Sequence, residues 1–300
     1  MKFKDYKYVR PDFNAVAGRL EALAKKIEAS LVLEEIEACI DELFKIQNEY
    51  ETMTTLAMIR STIDTNDEFY SKELEVIQEE SNIVTSKETL LYKVLVEHKL
   101  RSELEKKYGS YWFKSMEISL KCYDDSVSDL LVAESKLTTE YDRVMASAQI
   151  EFNGKINNLS QMKVYTSSTD RNIRFSAMKK INEFLSSKEE QIDDIYDKLV
   201  HIRTDIAHKL GFKNFIELGY LRMGRTDYDD KDVSKYRKQV VDYLVPVANK
   251  IIKENALNIG IENPKFYDLG LQFLDGNPTP KGNKDELVQK ALNMYSEMSK

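Results

Sequence analysis

The sequence predicts an all-α protein of long antiparallel helices with one short β-hairpin near residues 149–157. Three observations carry that prediction. Breakers are scarce, with 10 glycines and 5 prolines among 300 residues, so helices can run long without interruption. Apolar residues recur every three to four positions through most of the chain, the spacing of a helix that buries one face. Only one place reads as β: Ile150–Phe152 and Lys155–Ile156 flank Asn153-Gly154, a pair that tolerates both positive-φ positions of a tight turn.

Taken in order, Asp12 to Ser30 reads as a first helix, with Phe13, Val16, Leu20, Leu23, Ala24 and Ile27 on one stripe. A second runs from Leu33 toward Ile63 and carries Ile36, Ile40, Leu43, Phe44 and Ile46. A third begins around Asp67 and a fourth near Lys87, the latter with Leu91, Val94, Leu95 and His98, and the Ser- and Asn-containing stretch Ser81 to Ser86 is expected to connect them. No heptad persists long enough for a two-stranded coiled coil, so antiparallel packing is expected. Trp112, with Tyr111 and Phe113 beside it after Gly109, offers either a ligand platform or a packed aromatic hinge, and the hinge is preferred. The hairpin strands are too short to stand alone and should be clamped between helices. From Ser168 or Thr169 a long helix is expected to pass Lys180 and Tyr196 and end near Lys209.

From Arg203 to Ala248 the pattern is two amphipathic helices joined by a Gly-containing connection. Gly211 sits where a left-handed helix stop needs a residue without Cβ, and Phe212 is placed to pack back on the last turn. The second helix should start at Asp229, whose carboxylate can accept from free backbone N–H groups, with Asp232 in the first turn and Tyr228 stapled onto Val233. Pro246 should kink or end it.

A formal charge of −7 is spread among interleaved acids and bases, which disfavours nucleic-acid binding. The acidic groups Glu34, Glu35 and Glu37, or Glu189, Glu190, Asp193 and Asp194, lie among lysines on helical patterns and read as solvated faces. Cys39 and Cys122 are too few to staple the chain and read as small buried residues. No apolar run approaches the roughly 18 residues of a membrane span, and MKFKDYKYVR has no apolar signal region, so a cytoplasmic location is expected. Of three histidines, none has another four residues away. His201 and His208 are seven apart, a rise of roughly 10.5 Å, too far to share one ion.

LGFKNFIELGYLRMGRTDYDDKDV, Leu210 to Val233, resembles the segment leading into the catalytic region of the oligoendopeptidase F branch of the thimet oligopeptidase family, which are zinc metallopeptidases. QIEFNGKINNLSQMKVYTSSTDRNIRFSAMKKINEF, Gln149 to Phe184, has that family's hairpin, brief helix and Asp-Arg helix start. FLDGNPTPKGNKDELVQKALNMYSEMSK, Phe273 to Lys300, resembles the loop and helix preceding its zinc-binding helix; an amphipathic helix is expected over Asp285 to Met298, with Leu287, Val288, Ala291, Leu292 and Tyr295 apolar. The resemblance implies a His-Glu-x-x-His helix and a later glutamate as the zinc site. This sequence lacks the motif, so no catalytic and no metal residue is assigned in it.

The reading that follows is the N-terminal portion of a zinc oligoendopeptidase, inactive by itself, with an N-terminal helical domain over 1–148 and a truncated lead into the catalytic region over 149–300. The resemblance implies an oligopeptide substrate, a missing catalytic half as partner, and zinc in the full-length parent but not on this chain. It also implies that this chain forms one wall of a deep cleft, at the Leu221–Thr226 connection and the Gly276–Gly282 loop. Arg222, Gly224, Arg225 and Thr226 are the candidate cleft residues. An arginine there either pairs with a substrate carboxylate or braces the loop against neighbouring carboxylates, and bracing is preferred. Apolar surface meant for the missing half should promote self-association. The alternative is a catalytically inactive helical interaction module.

Overall fold

A computed structural model describes residues 3–299; Lys300, expected to close the last helix, lies outside them. The chain divides into two compact units, each discontinuous in sequence: 1–147 with 188–237, and 148–187 with 238–300. The first junction lies between Ser147 and Ala148, and neither unit is the continuous 1–148 or 149–300 segment expected from the sequence. The junctions at 187/188 and 237/238 carry no break that the sequence pattern announces.

In the first unit, α1 (Phe13–Ala29) and α2 (Leu33–Ile63) have the expected bounds. Asp12 Oδ1 accepts from the Ala15 N–H at 2.9 Å and starts α1. The two helices are antiparallel: Arg19 bridges Glu42 and Glu49, and Phe13 lies edge-on to Tyr50. The third and expected fourth helices are one, α3 (Glu68–Glu97). Ser81 to Ser86 is helical: Thr85 Oγ1 donates one turn back to the Ser81 carbonyl at 3.1 Å, and Val84 is buried. Packing of α3 on α1 and α2 outweighs the local preference for a turn.

The core of this unit is Leu20, Ile27, Ile36, Ile40, Leu43, Leu91, Leu95, Leu104 and Phe113, all buried. α4 (Arg101–Tyr108) and α5 (Ser110–Cys122) meet at Gly109, whose φ of +87° is open to glycine. Trp112 packs there against Phe44, Tyr108 and Phe113, with ring centroids 5.2–5.6 Å apart, so the aromatic cluster is a packed hinge. α6 (Ser128–Ala146) then runs antiparallel to α3, tied by Gln78 to Thr139 at 2.8 Å and Lys136 to Glu79 at 2.6 Å.

In the second unit β1 (Ile150–Phe152) pairs with β2 (Lys155–Asn157), and Asn153 at φ +54° and Gly154 at φ +71° make the expected turn. Asn158 and Gln161 form a capping box that opens α7 (Leu159–Thr166). α8 (Arg171–Ser187) follows, started by Asp170, which accepts from the Asn172 N–H at 2.8 Å. The hairpin packs against both helices around Ile150, Met162 and Ala177.

The single long helix expected toward Lys209 is broken. Ser187 Oγ donates to the Phe184 carbonyl at 2.6 Å, Lys188 leaves helical geometry at φ −112° and ψ 4°, and α9 (Glu189–Lys209) restarts in the first unit with two glutamates in its first turn, where the helix dipole favours them. α9 ends as expected: the Gly211 N–H, at φ +84°, donates to the His208 carbonyl, and the Phe212 N–H donates to Ala207 at 2.9 Å.

A short helix, absent from the sequence expectations, follows this stop: Asn214 caps α10 (Phe215–Arg222) by accepting from Ile216 N–H at 2.9 Å. α11 (Asp230–Gln239) is capped by Asp229, which accepts from Lys231 and Asp232 N–H groups. Pro246 does not end the helix. A wide i→i+5 turn over Val240–Leu244 precedes it and accommodates its ring and missing N–H, and α12 (Val245–Asn258) continues. α13 (Lys284–Met298) has the expected extent, opened by a reciprocal Asn283–Glu286 capping box. Its apolar stripe, however, contains no buried residue.

Candidate functional site

The connection singled out from the sequence is built on a buried carboxylate. Glu134, midway along α6 and only 5% exposed, accepts from Arg203 Nε on α9 at 2.7 Å with one oxygen and from Arg222 Nη2 on α10 at 2.8 Å with the other. Both guanidiniums also lie 5.7 Å from the Phe215 ring centroid, so one ring and one carboxylate hold two cations in place. Beneath them Val127, Ile206, Ala207 and Leu218 are buried, with Cys122 partly buried beside them. Burial pushes the Cys122 thiol up from its ordinary value, as expected of a thiol packed against this apolar cluster.

Arg222 is thus engaged inward, as a brace between helices. Gly224 takes the left-handed stop of α10 at φ +66° and donates to Leu221 at 2.8 Å, while Arg225 donates its N–H to Tyr220. The Arg225 guanidinium lies 5.6 Å from the Tyr228 ring, and that ring stands edge-on to Tyr220. Thr226 contributes its carbonyl to Lys114 Nζ at 2.8 Å. Of the four candidate residues, Arg222 and Arg225 are both exposed cations, Arg222 held by Glu134 and Arg225 over the Tyr228 ring, while the Thr226 carbonyl is taken by Lys114 and Gly224 shapes the turn.

The second candidate wall element, Gly276–Gly282, belongs to the other unit. Asn277 ties its start by donating to the Gly270 carbonyl at 2.7 Å and accepting from Gln272 N–H at 2.8 Å. At its end a Cβ on Gly282 would come 2.8 Å from the Glu286 carboxylate that caps α13. The same unit holds its most enclosed charge cluster just before the loop in sequence. Asp268 accepts from Arg171 at 3.0 and 2.8 Å, from Arg174 at 2.9 Å and from the Lys265 N–H at 2.9 Å. Burial by itself would raise the Asp268 carboxyl, but the Arg171, Lys265 N–H and Arg174 hydrogen bonds outweigh it and hold the group at about 2. Arg174 is fully buried, gives two further bonds to the Ser168 and Thr169 carbonyls, and has no partner for Nε.

Sequence reasoning misses Glu134, Arg203 and the Arg171–Arg174–Asp268 cluster. One signal is present: two arginines in the first turn of α8 stand against the helix dipole, which calls for a nearby anion.

The three histidines stay apart in function. His98 holds the Ser30 carbonyl at 3.1 Å through Nε2 and accepts from the Leu100 N–H through Nδ1. His201 caps back to Asp197, whose carbonyl and carboxylate raise its basicity, and His208 contacts the Lys213 carbonyl. Among the described residues no group of three or more His, Cys, Asp or Glu side chains is disposed to hold a metal, so the residues present do not fit a catalytic zinc. Nor, among them, is any helix long and apolar enough to cross a membrane.

Residues 3–123 match the family profile described as the peptidase M3 N-terminal domain. Three solved structures superpose on 99% of this chain: a protein described as an oligoendopeptidase F at 38% identity and TM-score 0.96, PZ peptidase A with an inhibitor at 39% and 0.96, and a protein described as an oligoendopeptidase F from Bacillus anthracis at 40% and 0.95. This chain covers 53%, 53% and 55% of them, about half their length. No curated protein matches the sequence. Profile and structures point the same way: this chain resembles the oligoendopeptidase F branch of the M3 peptidases.

Proposed function

We propose that this chain supplies the N-terminal, cleft-wall portion of a zinc-dependent oligoendopeptidase that hydrolyses short peptides, with residues 149–300 leading into the catalytic region. The observation that carries the reading is the near-complete superposition of this chain on about half of each oligoendopeptidase-like structure. M3 peptidases are metal-dependent; when bound, such a metal activates water for attack on the peptide bond. The residues present here do not fit it, so the chain's part is to bind and shape, and a substrate-facing role falls to Arg225 before Arg222. A cytoplasmic location belongs to the same proposal.

The second unit supports the reading from another direction. Val241, Leu244, Val245, Ile251 and Ile252 follow helical spacing and are exposed, as are Val288, Leu292 and Tyr295 on α13. Stripes of this kind are core faces when a further layer covers them. The purified chain is therefore expected to self-associate at concentrations of about tens of micromolar, and Leu292→Lys with Val288→Glu is expected to weaken that association, as read by sedimentation velocity. A monodisperse monomer throughout would count against an uncovered interface.

The function itself is tested by reading the codons that follow Lys300. A His-Glu-x-x-His sequence there, with peptide turnover by the extended chain, supports the proposal. A frame that continues without such a motif, or an extended chain that turns over no peptide, removes it.

A further inference from the structure

The first unit contains a groove that the proposed function does not use. It is a cavity of about 500 Å³ floored by α3, with α2 and α6 as its walls. Thr54, Thr55, Met58, Ser61 and Thr62 share one face of α2, and Leu131, Ser135, Thr138 and Thr139 share one face of α6, each set at one-turn spacing. A closed helical bundle would place large apolar side chains at such positions. Here the facing residues are mostly Ser and Thr, so α3 packs on both walls while the space between them stays open.

The chemistry of the groove is neutral and two-sided. Thr54, Thr62 and Thr138 donate to carbonyls of their own helix, at 3.2, 2.8 and 2.8 Å, which leaves their oxygens able to accept. Thr139 Oγ1 accepts from Gln78 at 2.8 Å, which leaves its O–H able to donate. Leu74 and Ile77 offer an apolar floor, and Asp142 and Arg143, neighbours at the end of α6, are the charged residues of the lining. Along α2 the lining from Thr54 to Thr62 rises roughly 12 Å, the span of about four residues of extended chain.

We propose that this groove binds an uncharged, apolar stretch of extended peptide. Hydroxyls on the two walls meet its backbone N–H and C=O groups, and Met58, Leu74, Ile77 and Leu131 take its side chains. A charged segment is disfavoured because the middle of the groove has no counter-ion for it. The inference rests on the peptidase reading only for the expectation that the protein meets peptides; binding is measured without turnover, so either can fail alone.

The test is calorimetric titration of the chain with acetyl-Ala-Val-Ala-Leu-Ala-amide and with acetyl-Ala-Lys-Ala-Lys-Ala-amide. Saturable binding of the first, at least about tenfold weaker binding of the second, and about tenfold loss on filling the groove by Ser135→Trp or, from the opposite wall, Thr62→Leu are expected. Circular dichroism of each variant establishes that it is folded. No binding of the neutral probe, equal binding of both probes, or binding that folded groove-filling variants leave unchanged would overturn the proposal.

Discussion

Asp268→Asn is expected to destabilise the unit formed by residues 148–187 and 238–300 by about 3–5 kcal/mol, the range for removing one partner of a buried ion pair. Asp268 and Arg174 are each about 1% exposed at the side chain, and the pair is 94 residues apart in sequence. An asparagine keeps the shape but leaves the Arg174 guanidinium buried without an anion, with Nε already unpartnered. Arg171 contributes less, since nearly half of its side chain meets solvent. Hydrogen exchange of the α8 amides reads this unit directly. A loss below about 1 kcal/mol would mean that the cluster is not what fixes the 264–276 segment.

The same carboxylate gives a pH dependence with a definite sign. Its folded value, about 2, lies below the ordinary 3.8, so the unfolded chain takes up the proton first as pH falls. The stabilisation is present in full above about pH 4 and is lost as pH drops toward 2, on the order of 2 kcal/mol in all. Asp268→Asn should remove this acid-dependent part of the stability.

Glu134→Ala is the second large effect, expected at about 2–3 kcal/mol in the first unit. It leaves Arg203 and Arg222 facing each other across Phe215 with their shared anion gone. Both arginines are about one-third exposed at the side chain and can recover some hydration, which keeps the figure below that for Asp268. Arg222→Ala alone should lose about 1 kcal/mol, and the Glu134/Arg222 double-mutant cycle should show coupling of about 1 kcal/mol or more. The chain has one tryptophan, Trp112, packed in this unit, so fluorescence during urea unfolding follows it selectively. Unchanged stability in Glu134→Ala would free Arg222 for a substrate carboxylate in place of a structural one.

These clusters explain what sequence reading reaches. Local chemistry is legible because its partners are close in sequence: the Asp12, Asp67 and Asp229 caps, the Gly211 stop and the Asn153-Gly154 turn each resolve within a few residues. Where tertiary packing decides, local signals mislead. Ser81 to Ser86 looks like a connection and is helix, because α1, α2 and α6 hold α3 straight. Ser187-Lys188 looks helical and is the break at which the chain passes from one compact unit to the other. The candidate site divides along the same line. The Leu221–Thr226 turn is legible, whereas its support is Glu134, 88 residues from Arg222, and no short-range pattern announces a pair at that distance.

Central here is the proposal that the residues of this chain hold no catalytic zinc by themselves, and zinc stoichiometry tests that most directly. After equilibration with zinc and removal of the excess, metal analysis of the purified 300-residue chain is predicted to find below about one-tenth of an equivalent, as expected when no three ligands converge. One tightly held equivalent, lost when a histidine among His98, His201 and His208 is replaced, would contradict it.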